Sequence, residues 1–252
     1  MARDLTTDLN ENLRRTIDKL AEEADLGESR QFGPVTASSA GVPVPLFNRF
    51  FVFDDPPPDD LSAAVRWMTE RDVPFWVTVT ETVVEEVRNH LADLGLVKAG
   101  EEPCMAMVTL DEIPPRDSVV DISEVTAPDE LEDFNTVSAP AAFATPKDVE
   151  PIGQAALVAD NMRLFLGRVD GHPAASGLLA QSGDVAGVYG IAVVEEFRRQ
   201  GIGEAMTWEV LQAGREAGCR VGVLQSSEMA YSLYKKMGFE TLVTNHLFVP
   251  AD

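Results

Sequence analysis

The sequence predicts an α/β protein whose strands form a mixed sheet. Three observations carry that expectation. Short apolar runs alternate along the chain with stretches of helical periodicity. Asp170-Gly171 separates two apolar runs as a hairpin turn would. The 252 residues are 45% hydrophobic, ample for a buried core in one large domain or two of ordinary size.

Residues 8–24 read as an amphipathic helix with Leu9, Leu13, Ile17, Leu20 and Ala21 on one stripe. The Gly/Pro/Ser-rich stretch 27–45 reads as loop. A strand over 46–53 follows, then a helix over 59–72 with acids at its start. A strand over 74–80, a helix over 83–95 stopped by Gly95, and a strand over 104–110 complete the first half. Residues 111–118, DEIPPRDS, are the best linker and divide the chain into 1–114 and 115–252. The second half opens with a strand over 118–126 and helices near 128–138 and 147–157, joined by APAAFATP. A hairpin over 162–181 and a strand over 186–194 lead into a helix from Gly203 to Ala213. Strand, helix and strand over 221–225, 230–238 and 242–249 close the chain.

Laying Gly95 on Gly238, a shift of 143 positions, aligns LADLGLVKAG with YKKMGFETLV and brings VTVTE close to VGVLQ. Two explanations are open: a tandem pair of related folds, or the general likeness of apolar strand-helix-strand units. Under the first, Arg198, Gly201 and Gly203 fall on Asp55, Pro58 and Asp60, and Tyr234 falls on Leu91, so a first copy would lack the chemistry of the second.

The formal net charge of -22 disfavours nucleic acid and anionic membrane surfaces as partners. The acid is spread over both halves alike, and only Lys19, Lys98, Lys147, Lys235 and Lys236 are lysines. That balance resembles salt-adapted, halophilic cytoplasmic proteins, so it reads first as solvent adaptation. Cys104 and Cys219 are far apart and lack ligand spacing, which predicts buried thiols in a reducing compartment and no metal site. The first twenty residues have acids where a signal peptide needs an apolar core, and no run approaches membrane-spanning length, so a cytoplasmic location is expected.

One stretch carries chemistry. In AVVEEFRRQGIGEAM a strand runs through Phe197 into Arg198-Arg199-Gln200-Gly201-Ile202-Gly203, and a helix follows at once. Glycines let consecutive backbone N–H groups turn inward, and the helix start adds partial positive charge, so the loop suits a phosphate or pyrophosphate. The arginines supply formal charge that a chain of net -22 otherwise denies a polyphosphate. The spacing is neither a Walker loop nor a dinucleotide fingerprint.

IAVVEEFRRQGIGEAM, followed downstream by SLYKKMGF, resembles the GNAT superfamily of acyl-CoA-dependent N-acyltransferases. That family's acetyl-CoA motif reads R/Q-x-x-G-x-G/A, and its later helix ends in L-Y-x-x-x-G-F. The resemblance covers residues 118–250 and implies a GNAT acyl-CoA N-acyltransferase fold with its catalytic unit in 115–252. Residues 1–114 are then either a degenerate GNAT-like copy or an accessory unit. It further implies that backbone groups of Ile191, Ala192 and Val193 pair with the pantetheine arm of acetyl-CoA. Arg198, Arg199, Gln200, Gly201, Ile202, Gly203 and Glu204 would hold the pyrophosphate. Ser227 stands where many members carry an Asn, and Tyr234 matches the tyrosine that protonates the departing thiolate.

Acyl transfer from a thioester to an amine needs a neutral amine, a donor for the tetrahedral oxyanion and an acid for the sulfur. A backbone N–H between Ile191 and Val193 can serve the oxyanion and Tyr234 the sulfur. The base stays open: Gly222 stands where some members have a Glu, leaving Glu228, Tyr189, His172 or a water chain, while Glu196 matches a position that closes the turn. The resemblance implies a primary amine acceptor, small-molecule or peptide, chosen by the segments SAPAAFATPKD, with Phe143, and TNHLFVP, with His246; by themselves these read as an ordinary loop and a surface histidine, and the substrate is not readable. The resemblance implies an N-acetyltransferase, monomer or homodimer, needing no metal. The alternative is a non-catalytic acyl-CoA-binding or regulatory protein, suggested by Gly222 and Ser227.

Overall fold

The computed structural model describes residues 4–111, 113–114 and 120–251. A long helix α1 (Leu5–Glu23) opens the chain, its N-cap Asp4 accepting from the Thr6 and Thr7 amides. Then follow β1 (Glu28–Phe32), β2 (Val35–Ser39), β3 (Asn48–Val52), α2 (Pro58–Thr69), β4 (Trp76–Thr80), α3 (Val84–Asp93) and β5 (Leu96–Met107). The second half contains β6 (Asp121–Val125), α4 (Leu131–Ser138), α5 (Pro146–Val158), β7 (Met162–Val169), β8 (His172–Ser182) and β9 (Val185–Val193). It closes with α6 (Ile202–Glu216), β10 (Val221–Gln225), α7 (Glu228–Met237) and β11 (Glu240–Pro250).

Among the described residues the strands join one 11-stranded sheet in the order β1-β2-β3-β4-β11-β5-β10-β9-β8-β7-β6. Pairing is antiparallel except at β3·β4 and β9·β10, which occupy matching places in the two halves. On one face α2 and α3 bury Leu61, Met68, Val87 and Leu91 against Phe50, Val77 and Val79, while α6 and α7 cover the second half. On the other face α4 and α5 pack Leu131, Phe134 and Ile152 against Leu164, Leu166 and Leu178, and α1 lies across both halves.

The centre of the sheet supports the tandem explanation. Strand β11 from the second half inserts between β4 and β5, and β5 from the first half lies between β11 and β10. Each half therefore lends a strand to the other. The β5·β11 ladder pairs Glu240 with Ala106 and Val249 with Val97, positions that exchange under the 143-residue shift. Its two irregularities pass over Leu242 and Ala99, which the same shift relates.

Two sequence expectations need correction. Residues 27–45, expected as loop, contain the hairpin β1–β2, turned at Gly33 with φ +55. As the outermost strand, β1 exposes most of its side chains, so it shows no apolar alternation to read. The strand expected over 104–110 runs from Leu96 to Met107, because β11 supplies a partner along a stretch whose own residues, LVKAGEEP, lack apolar period. The proposed linker 111–118 falls largely outside the described residues, and the strand expected from 118 is described from Asp121.

Both cysteines are unpaired and buried, and burial pushes the Cys104 thiol up to about 12 and the Cys219 thiol up to about 11. Only the thiolate reacts, so maleimide labelling at pH 8 is expected to be at least about 100-fold slower in native protein than in urea. Fast labelling of either thiol would contradict this packing.

Candidate active site

The site is built where β9 leaves β10. The two strands pair only from Val221 opposite Val185 to Val223 opposite Gly187, and β9 then continues to Val193 without β10. A bulge causes the divergence. Between Tyr189 and Ala192 strand β9 carries one residue more than the facing Leu178 to Ser176 segment of β8, with Gly190 at φ +57. The buried Ser176 hydroxyl donates to the Gly190 carbonyl at 3.0 Å and holds it. The matching pair in the first half, β3·β4, is in register from Arg49 to Val52 and leaves no such edge.

The open edge presents backbone. The Val194 N–H donates to the Ala174 carbonyl on the β8 side (2.9 Å), so alternation turns the N–H groups of Ile191 and Val193 toward the gap. Side chains of Ile191 and Val193 pack beside α6, and that of Ala192 is buried on the opposite face. The Arg198 guanidinium donates through Nε to the Val193 carbonyl at 3.0 Å.

The loop that follows has the shape its glycines predict. A short 3-10 turn at Glu195–Phe197 ends on Arg198, Arg199 takes φ +60, and Gly201, the N-cap of α6, takes φ +80. A side chain at Gly201 would meet nothing within 4 Å, so the requirement there is backbone conformation, not space. Ile202 is buried and pins the helix start, and Gln200 donates to the Glu196 carbonyl at 3.3 Å. The first turn of an α-helix leaves its N–H groups without intrahelical partners, here at Ile202 and Gly203. Glu204 is the acidic residue of that turn. Neither Arg198 nor Arg199 pairs with a carboxylate among the described residues.

Tyr234 lies on α7, buried, its ring edge-to-face with Phe239 at 5.7 Å. Burial raises its hydroxyl to about 12, the nearby Thr207 hydroxyl acting in the opposite sense, so it holds its proton at neutral pH. Within α6 the Thr207 hydroxyl donates to the Gly203 carbonyl at 2.8 Å. Ser227 is the N-cap of α7, accepting from the Ala230 amide at 3.3 Å. Gly222 sits under α6, where a Cβ would come within 2.6 Å of Leu211 Cδ2, so packing excludes a carboxylate from that position.

The base candidates separate. His172 is exposed at the β7–β8 turn, and Glu196 lies in the 3-10 turn. Glu228, in the first turn of α7, lines a groove with Lys98, Glu101 and Tyr231. Tyr189 lies against the gap, donating to Asn12 Oδ1 at 2.6 Å, and burial raises its hydroxyl. His246 pairs across the sheet with Glu101, its imidazole held below the usual range by burial. Phe143 is fully exposed in a left-handed conformation after α4. Sequence reading missed Asn12, Thr16, Arg49 and Glu102. Their only signals were polar side chains beside the apolar stripe of α1 and one arginine inside the apolar run FNRFFVF.

Comparison with known proteins places the chain. The profile of the Acetyltransferase (GNAT) family matches residues 110–239. A GCN5-related N-acetyltransferase from Kribbella flavida is similar at 20% identity and TM-score 0.72 over 97% of this chain and 96% of that chain. A tandem GNAT protein from the clavulanic acid biosynthesis pathway is similar at 11% identity and TM-score 0.60 over 98% and 97%. A GCN5-related N-acetyltransferase from Sphaerobacter thermophilus is similar at 17% identity and TM-score 0.52 over 85% and 79%. No curated protein sequence matches. At these identities the structural likenesses speak for the fold, and they extend it across both halves. No helix among the described residues is long and apolar enough to cross a membrane.

Proposed function

This chain belongs to the GNAT acetyltransferase family and is an acyltransferase, and from that premise we propose that it moves an acetyl group from acetyl-CoA to a primary amine. One observation carries the reading: the β9 edge opened at Gly190 runs directly into a helix start flanked by two arginines that have no carboxylate partner among the described residues. Such an edge fits the amides of a pantetheine arm, and such a helix start fits a pyrophosphate. The residues assigned to acetyl-CoA are Ile191, Ala192 and Val193 along the arm and Arg198 to Glu204 around the phosphates. Ser227 borders the site as the cap of α7.

The amine attacks the thioester carbonyl, and a backbone N–H of the open edge stabilises the oxyanion as it develops. Tyr234 then gives its proton to the sulfur as the C–S bond breaks, and the proton the nitrogen loses on becoming an amide passes through solvent and restores the tyrosine, leaving amide and free thiol. A hydroxyl titrating at about 12 remains protonated through the neutral range, as that role requires. The first half contributes no second copy of this machinery and acts as its structural partner.

The test is calorimetry with acetyl-CoA followed by thiol release against amines. Tyr234→Phe is expected to lower kcat about 100-fold while leaving acetyl-CoA affinity and acceptor KM within about twofold. An unchanged kcat would remove Tyr234 from the proton transfer. The second reading, acyl-CoA binding without turnover, rests on Gly222 and the capping Ser227, and is selected by tight binding with no thiol release.

A further inference from the structure

A polar strip crosses the face of the sheet under α1, at the junction of the halves. Cross-strand pairs align Thr80 with Asn245, Asn245 with Glu102, and Cys104 with Gln225, so these side chains share one face. Arg49 lies on the same face, fully buried, with its guanidinium over the Trp76 and Phe51 rings at 5.2 and 5.6 Å. It donates to Thr78 Oγ1 at 2.7 Å and to Glu102 Oε2 at 2.8 Å. Glu102 Oε1 accepts nothing among the described residues. Tyr189, whose β9 position lies just past the last β9–β10 pair at Gly187, packs on the cluster that holds Phe51. The strip therefore reaches the gap between β9 and β10.

Two features set it apart from ordinary core. Replacing a buried guanidinium–carboxylate pair by apolar side chains is often neutral or stabilising, so fold stability alone does not explain it. Beside it, among the described residues, Asn245 has no partner for either side-chain atom, and Thr80 Oγ1, Gln225 Nε2 and Asn10 Oδ1 have none. Asn245 and Thr80 are 0% and 2% exposed, and native proteins leave few such groups unpaired.

We propose that Glu102, oriented by Arg49, accepts a hydrogen bond from the neutral amine of the acceptor, with Asn245, Thr80 and Gln225 meeting hydroxyl or amide groups of the same molecule. This rests on the acetyl-transfer reading and deepens it. The acceptor class is a polar primary amine carrying further hydrogen-bonding groups. The residues come from both halves: Arg49, Thr80 and Glu102 from the first, Gln225 and Asn245 from the second. On this reading the strand exchange delivers a carboxylate to a catalytic unit that has a glycine at position 222.

The experiment compares wild type, Glu102→Gln and Arg49→Met/Glu102→Leu, the last removing both charges so that no buried ion is stranded. Acetyl-CoA affinity is measured by calorimetry, and thiol release is followed with ethanolamine, glucosamine, serinamide and lysine beside butylamine. Expected are unchanged acetyl-CoA affinity in all three and turnover of at least one polar amine by wild type. Both variants should show an acceptor KM raised at least about tenfold, with a smaller change in kcat. A wild-type KM in the double variant overturns the proposal, as does wild-type turnover of butylamine alone or of none of the amines. Absence of acetyl-CoA binding in wild type instead overturns the acetyl-transfer reading.

Discussion

A Gly201→Glu/Gly203→Glu double variant is expected to lose acetyl-CoA affinity by at least about 10³-fold, a difference of about 4 kcal/mol, while keeping the wild-type circular dichroism spectrum. Gly201 holds φ +80, so any L side chain there is strained by roughly 1–2 kcal/mol. Gly203 has ordinary space, its nearest neighbour being Val193 Cγ2 at 3.4 Å from a built Cβ. Carboxylates at a helix N-terminus also interact favourably with its dipole, which offsets part of the strain. The fold therefore survives, but both carboxylates enter the place proposed for the pyrophosphate. Gly203→Ala is the control and should bind within a few-fold of wild type. Calorimetry reads both, and binding by the double variant within tenfold of wild type would move the pyrophosphate away from this loop.

The first half shows the converse by its own sequence. Under the 143-residue shift, Gly201 and Gly203 correspond to Pro58 and Asp60, and the structure starts α2 at Pro58 with Asp59 and Asp60 in its first turn. Asp60 also leans over Gly33, where a Cβ would fall 2.0 Å from Oδ2. Negative side chains at that helix start repel a phosphate, and the closed β3·β4 pair offers no edge to a pantetheine arm. In the first half the acidic helix start and the closed edge occur together.

What could be read from the sequence follows from how local the determinants are. The loop from Arg198 to Gly203 and the helix carrying Tyr234 lie in contiguous stretches whose turn and cap residues follow from backbone conformation, so their local structure was legible. The bulge at Gly190 was not, because it depends on Ser176 of the neighbouring strand. The length of β5 was hidden because β11, more than a hundred residues away, supplies its partner. Arg49 and Glu102 carried no joint signal, since their contact arises only when the strands of two halves interleave. The hairpin β1–β2 was hidden by its exposure at the sheet edge.

Separately expressed residues 1–114 and 115–252 are expected to show no cooperative thermal transition alone, and to regain one when co-expressed. In the intact chain the β5·β11 ladder is the longest in the sheet, and it joins the halves. Excising the first half leaves β10 without β5, and excising the second leaves β4 and β5 without β11 between them. Each fragment would expose long unpaired edges, which favour aggregation over a stable monomer. Helix α1 would lose its second support, since Leu9 packs on Val185, Val221, Val223 and Val243 of the other half. Calorimetric melts of each fragment and of the co-expressed pair make the comparison. A cooperative melt of 1–114 alone would show that the exchange is dispensable for folding, and acetyl-CoA binding by that fragment would show that its copy of the site is not degenerate. Restored melting only in the pair would mean that the two halves form one folding unit, in which the first can place Glu102 beside the second.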